Sequence, residues 1–181
     1  LSFSGELGGI WRERGRAPQK LVGVGFIAQG LDISSFYLRR PDSFEEEVAW
    51  IFKEVAADEH IGDFGLEGGG AAGMEIDCYD PDLGSPEDAY LLASSVDHTP
   101  LMLEVRENFG ITQPNLGGSE NPRVRADMVF FPTPNEGAVF STGSIAWCGA
   151  LSHNAYNNNV SQITENVLRA FVSKDKLLDR A

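Results

Sequence analysis

Cysteine is scarce in this sequence: two residues, Cys78 and Cys148, stand far apart among 181. That spacing matches neither a metal knuckle nor a disulfide framework, and it predicts a reducing, cytoplasmic setting. Histidine is also rare, and His60, His98 and His153 are too dispersed to show the spacing of metal ligands. Basic residues are outnumbered, 14 Lys and Arg against 27 Asp and Glu, for a formal charge of −13. Such a surface repels phosphate backbones and anionic headgroups, which excludes nucleic-acid and membrane partners from the expectation. Long apolar runs are missing too. The longest strongly apolar stretch, LVGVGFIA at 21–28, is far below the roughly 20 residues a membrane span needs. The opening LSFSGELGG has no basic region and no apolar core of a secretory signal, and a start on Leu1 predicts a piece cut from a longer chain.

What is present suffices for a core: 42 % of the residues are hydrophobic, so one α/β domain over residues 1–181 is expected. QKLVGVGFIA (19–28) reads as a buried strand after Pro18. Ser43 with Glu46 forms a capping-box pattern, and Val48, Ile51, Phe52 and Val55 recur at helical spacing, which predicts a helix there. Six glycines between Gly62 and Gly73 predict a loop. MEIDC (74–78) and AYLLASS (89–95) read as strands, and 100–109 is ambiguous between helix and strand. ADMVFF (126–131), the turn TPNEG (133–137) and AVFSTGS (138–144) predict a hairpin. Asn159 or a neighbouring Asn caps a final helix with the stripe Val160, Ile163, Val167, Leu168 and Phe171. Elements of both kinds in one compact chain predict a mixed-sheet α/β sandwich.

The glycine loop holds the most pointed question. Gly68-Gly69-Gly70-Ala71-Ala72-Gly73 satisfies the Gly-x-Gly-x-x-Gly pattern of dinucleotide loops. Such a loop must follow an apolar strand and open a helix, because pyrophosphate binds the positive end of that helix. HIGDFGLE before it is no strand, and Pro81 with an Asp-rich turn after it forbids a useful helix, so a nucleotide site is rejected. A loop of little side-chain bulk does permit close backbone approach, and it delivers Glu75 at its end.

Other candidates are weaker. Asp77, Asp80, Asp82 and Gly84 faintly suggest a calcium loop, but the spacing is wrong, and a solvated turn is the better expectation. Cys148 and His153 could form a thiol–imidazole pair for acyl transfer, although Cys148 in IAWCGAL reads as a small buried hydrophobe. STGS (141–144) offers hydroxyls without the Gly-x-Ser-x-Gly elbow of serine hydrolases. Asn154, Asn157, Asn158 and Asn159 read as turn and capping residues.

Four stretches together carry a family resemblance: SGELGGIWRERGRAPQKLVGVGFIAQG (4–30), IGDFGLEGGGAAGMEID (61–77), NPRVRADMVFFPTPNEGAVFSTGSIAWCGALSHN (121–154) and NNVSQITENVLRAF (158–171). In these the chain resembles the C-terminal part of the large (beta) subunit of the N,N-dimethylformamidase family of iron-dependent amidohydrolases. The resemblance implies a partial class I glutamine-amidotransferase-like, flavodoxin-like sandwich with a C-terminal hairpin and helix. It implies hydrolysis of N,N-dimethylformamide, or a similar small amide, to formate and an amine. It also implies ferric iron held upstream by two tyrosines and a glutamate, a possible small subunit and a homo-oligomer.

None of Tyr37, Tyr79, Tyr90 or Tyr156 falls in a matching iron motif, so no metal ligand is expected in this chain. The active-site glutamate that the resemblance places here is best matched by Glu75, with Glu67 second. An amide is a poor electrophile. The family's iron would polarise its carbonyl or acidify a bound water, and a carboxylate outside the coordination shell would take a proton from that water and pass it to the amine. In an apolar pocket beside other acids, the pKa of such a carboxyl rises. Two alternatives stand beside this: a non-catalytic structural or oligomerisation module, and a cysteine hydrolase using Cys148 and His153.

Overall fold

The computed structural model describes residues 11–105, 115–134 and 136–173. Residues 4–10 of the first matching stretch, 106–109 of the ambiguous segment, and Asn135 of the hairpin turn lie outside them. Pro18 starts not a strand but a single helical turn, α1 (Gln19–Val22). Its fixed φ suits a helix start, and Gly23, at φ 79°, ends the turn in the left-handed region. The expected strand over 19–28 therefore begins at Gly25, where the buried Gln19 side chain lies so close that any Cβ would collide with it.

The long strand β1 (Gly25–Ser35) runs almost directly into β2 (Tyr37–Arg39). The expected strands β3 (Ala72–Cys78) and β4 (Tyr90–Ser95) form, and so does the hairpin, as β6 (Asp127–Pro132) and β7 (Ala138–Ser141). A short β5 (Leu103–Glu104) settles part of the ambiguous segment as strand. One sheet has the order β3-β1-β5 and the other β2-β4-β6-β7. Every named strand pairing among the described residues is antiparallel, which corrects the expected mixed sheet. For the last pair the reason is local: parallel neighbours need long crossovers, whereas β6 and β7 are joined by a short hairpin turn.

The expected helix after Ser43 is two 3-10 turns, Pro41–Phe44 and Ala49–Phe52. Ser43 does not cap: its hydroxyl donates to the Arg40 carbonyl (2.7 Å). The Asp42 carboxylate instead accepts from the Leu91 N–H (2.8 Å) and ties this segment to β4. Val48, Ile51, Phe52 and Val55 are buried as the pattern required, so burial, not helix, was what the spacing encoded.

The last helix, α3 (Asn159–Val172), is capped by Asn158, whose side chain accepts from the Ser161 N–H (2.9 Å). Val160, Ile163 and Val167 enter the core, while Leu168 and Phe171 stay on its exposed flank. The core between the sheets and this helix includes Tyr37, Ile61, Ile76, Leu92 and Phe130, each fully buried. Burial of one such apolar side chain contributes about 1.5–3 kcal/mol. Trp147, in the short helix α2 (Trp147–Ala150), meets Tyr37 edge-on with ring centroids 5.8 Å apart.

Candidate active site: a groove where the two sheets join

Beyond β7 the chain does not leave the sheet. Thr142-Gly143-Ser144-Ile145 crosses to the free edge of β3, where the Asp77 N–H donates to the Gly143 carbonyl (2.8 Å) and the Ile145 N–H donates to that of Glu75 (3.3 Å). Gly143 makes the crossing possible. Its φ is +66°, and a Cβ there would lie 2.6 Å from the carbonyl oxygens of both Asp77 and Asp127. The Ser144 hydroxyl accepts from the N–H groups of Gly73 (2.9 Å) and Ala146 (3.1 Å), and the Ser141 hydroxyl donates to the Val22 carbonyl (2.7 Å). Beneath, the buried Tyr37 phenol donates to the Thr142 carbonyl (2.7 Å), and burial pushes its pKa up.

An open groove of about 460 Å³ results, lined by Val22, Val24, Glu75, Asp77, Phe140, Ser141, Thr142, Gly143, Ser144 and Ile145. The glycine loop explains how Glu75 reaches it. Gly70 and Gly73 pack so tightly on Ser34 and Ser35 of β1 that neither has room for a Cβ. Where this contact ends, the β1–β3 register shifts, and Met74 sits in the left-handed region at φ 64°. A bulge of this kind bends a strand and re-aims the side chain that follows. That side chain is Glu75, exposed on the groove wall.

The sequence offers Asp77 both to the strand 74–78 and to the Asp-rich turn, and it lies in the strand. It stands two residues along β3, on the face of Glu75, half-buried in the same groove. Burial pushes its carboxyl above the usual carboxylate range, with Glu75 adding to the shift and the Arg12 guanidinium opposing it. The alternation in Met74-Glu75-Ile76-Asp77-Cys78 carried the signal, since period two puts both acids on one face. Asp80 and Asp82 belong to a different feature, a 3-10 turn at Pro81–Leu83 that the Asp80 carboxylate caps.

Glu67 lies elsewhere, exposed against Gly149 of α2. Cys148 is exposed, a correction to the buried position expected of it, because it lies on the outer side of a one-turn helix whose Trp147 and Ala150 face inward. Among the described residues no hydrogen bond joins it to His153, whose ring stacks on Phe64 with centroids 4.2 Å apart. The alternative thiol–imidazole pair is thus not joined by a hydrogen bond among the described residues. Sequence reasoning also missed a buried pair, in which the Ser95 hydroxyl and His98 Nε2 lie 2.6 Å apart. Burial lowers the His98 pKa to about 4.

Among the described residues no group of three or more His, Cys, Asp and Glu could hold a metal ion. The groove supplies two carboxyls, a polar floor and one aromatic wall, Phe140.

A family profile described as N,N-dimethylformamidase beta subunit-like, C-terminal, matches residues 2–160. Two curated relatives, each named N,N-dimethylformamidase beta subunit, come from Alcaligenes sp and Paracoccus aminophilus. Each is 45 % identical over 174 residues, which is 96 % of this chain and 23 % of the relative. The chain thus spans about a quarter of the length of the curated relatives it matches.

Proposed function

The chain belongs to the N,N-dimethylformamidase beta subunit-like, C-terminal family, and from that premise we propose that its groove contributes the proton-accepting carboxylate, Glu75, to an amidohydrolase acting on N,N-dimethylformamide or a similar small amide. The observation that carries this is the delivery of Glu75, by the glycine loop and its bulge, to the wall of a cavity of about 460 Å³. That volume falls within the range of small-molecule sites. As water oxygen bonds to the formyl carbon, Glu75 takes the water proton, and the amine nitrogen must receive a proton as the C–N bond breaks. Formate and the amine leave.

The ferric iron implied by the resemblance remains part of the proposal for the longer protein. No step here runs through it. The partial glutamine-amidotransferase-like sandwich expected of this chain finds no support in its sheets, since flavodoxin-like sheets are parallel and every named pairing among the described residues is antiparallel. The beta-subunit names of the relatives support a multi-subunit enzyme, with a small subunit and a homo-oligomer as candidate partners. A cytoplasmic location accords with two free cysteines, and no helix among the described residues is long and apolar enough to cross a membrane.

The test is formate release from N,N-dimethylformamide by the full-length protein. Glu75→Gln is expected to lower kcat/KM by about 10²–10⁴. Survival of activity within about threefold would remove Glu75 from the chemistry.

One observation favours the structural-module alternative. Leu31, Ile33, Leu101 and Leu103 are exposed on and beside the sheet that carries β1 and β5. If assembly is the main role, Leu31→Glu with Ile33→Glu is expected to reduce the mass measured by light scattering while formate release per chain is retained. A catalytic chain without this interface keeps its mass.

A further inference from the structure

Amide hydrolysis needs two proton transfers with opposite demands. One group must be ionised to take a proton from water, and another must hold a proton for a strongly basic amine. Paired carboxyls divide these roles when their surroundings differ. The groove holds such a pair, and we infer that Asp77 is its second catalytic residue, donating a proton to the departing amine nitrogen while Glu75 accepts one from the attacking water. This inference rests on the proposed role of Glu75.

The geometry carries it. Glu75 and Asp77 are i and i+2 on β3, so both project from one face, about 6–7 Å apart along the strand. That separation leaves room for a small amide and a water between or above them. Glu75 is exposed at the groove mouth, whereas Asp77 is half-buried where Gly143 presses the crossing segment onto β3. Neither carboxyl accepts a hydrogen bond from another described residue, so neither is committed to holding the fold.

Among the described residues, Glu75 stands near Asp77 on its own strand, Arg12 comes from a 3-10 turn (Trp11–Arg14), the Tyr37 phenol lies in β2, and Asp127 lies across Gly143 in β6. The crossing segment and Val22 and Val24 bring none. Arg12 donates to the backbone carbonyls of Phe26 and Val105, and its guanidinium opposes the rise that burial and Glu75 produce at Asp77. Burial and the Glu75 charge both favour the protonated form of Asp77, which is the form a general acid needs.

The step balances. Water oxygen bonds to the carbonyl carbon and its proton goes to Glu75. The C–N bond breaks, its electron pair stays on nitrogen, and that nitrogen takes the proton of Asp77. Turnover ends with Glu75 protonated and Asp77 ionised, and one proton passing back from Glu75 through groove water restores both.

A general acid matters most when the leaving amine is basic. The experiment therefore compares N,N-dimethylformamide with N-methoxy-N-methylformamide, nearly the same size but releasing a far less basic amine, on the full-length protein. Asp77→Asn is expected to lower kcat/KM on N,N-dimethylformamide by roughly 10² and on the methoxy analogue by at least tenfold less. It is also expected to remove the alkaline limb of the kcat/KM pH profile, and Asp77→Glu to restore part of both. Independently of turnover, difference infrared spectra across the titration should lose one protonated-carboxyl band in Asp77→Asn.

Equal losses on the two substrates, an unmoved alkaline limb or an unchanged infrared spectrum would overturn the role of Asp77. The companion Glu75→Gln separates the two ideas. If Glu75→Gln is inactive on both substrates while Asp77→Asn shows no selectivity, the Glu75 role stands and that of Asp77 falls. If Glu75→Gln is active, the parent reading has failed.

Discussion

Asp77 and Asp127 sit either side of the same glycine, in strands of the two sheets, and burial pushes both carboxyls above the usual range. Their surroundings differ in exposure and in hydrogen-bond donors. Asp127 has no solvent exposure, and its oxygens accept from the Tyr79 N–H (2.9 Å), the Ser94 hydroxyl (2.6 Å) and Arg125 Nε (3.0 Å). Asp77 is half-buried in the groove, and no described residue donates a hydrogen bond to its carboxyl. A buried carboxylate with three donors is a fastener, since each donor would be orphaned without it. A half-buried carboxyl with none adds little to folding and is left available for chemistry. The contrast separates structural from functional acids at one corner of the fold.

The sharpest way to break this comparison is to delete both. Asp127→Ala is expected to destabilise by about 3–5 kcal/mol in chemical denaturation, because Arg125, Ser94 and the Tyr79 N–H lose their shared acceptor. Asp77→Ala is expected to change stability by no more than about 0.5 kcal/mol. Equal losses would erase the distinction.

A smaller effect should appear at His98, a third buried polar group of mixed character. Its Nε2 meets the Ser95 hydroxyl, while its Nδ1 is buried without a partner. Its pKa is about 4 when folded, against 6.5 unfolded, so the unfolded chain binds the proton first as pH falls. The neutral imidazole's contribution is complete above pH 6.5 and lost progressively down to about pH 4, by about 3 kcal/mol at most. Denaturation midpoints across that window should fall in the wild type and flatten in His98→Gln. A parallel decline in both would place the acid sensitivity elsewhere.

Much of the frame was legible in the sequence. Strands 74–78 and 89–95, the hairpin and the last helix are set by short-range patterns: β-rich runs, a Pro-Asn-Glu-Gly turn and an Asn cap. The segment after Ser43 was misread because apolar residues at helical spacing can equally be buried by two 3-10 turns, once Asp42 pins the chain to β4. The glycine loop was legible as a close approach, but the surface it approaches, Ser34 and Ser35, lies more than thirty residues away. Likewise Asp77 was legible within the strand 74–78, but nothing near it in the sequence marks its face as a groove wall. Only the crossing of Thr142-Gly143-Ser144, far along the chain, turns that face of β3 into a groove. Long-range pairing of this kind leaves no local trace.

The central claim is that the groove glutamate, not the other acid of the glycine loop, serves the reaction. Side-by-side measurement of kcat/KM for N,N-dimethylformamide in Glu75→Gln and Glu67→Gln, with metal content and assembly matched to the wild type, tests it most directly. The expected result is a loss of about 10²–10⁴ for Glu75→Gln and less than about threefold for Glu67→Gln. The reverse order would contradict the account and move the chemistry to the face of α2.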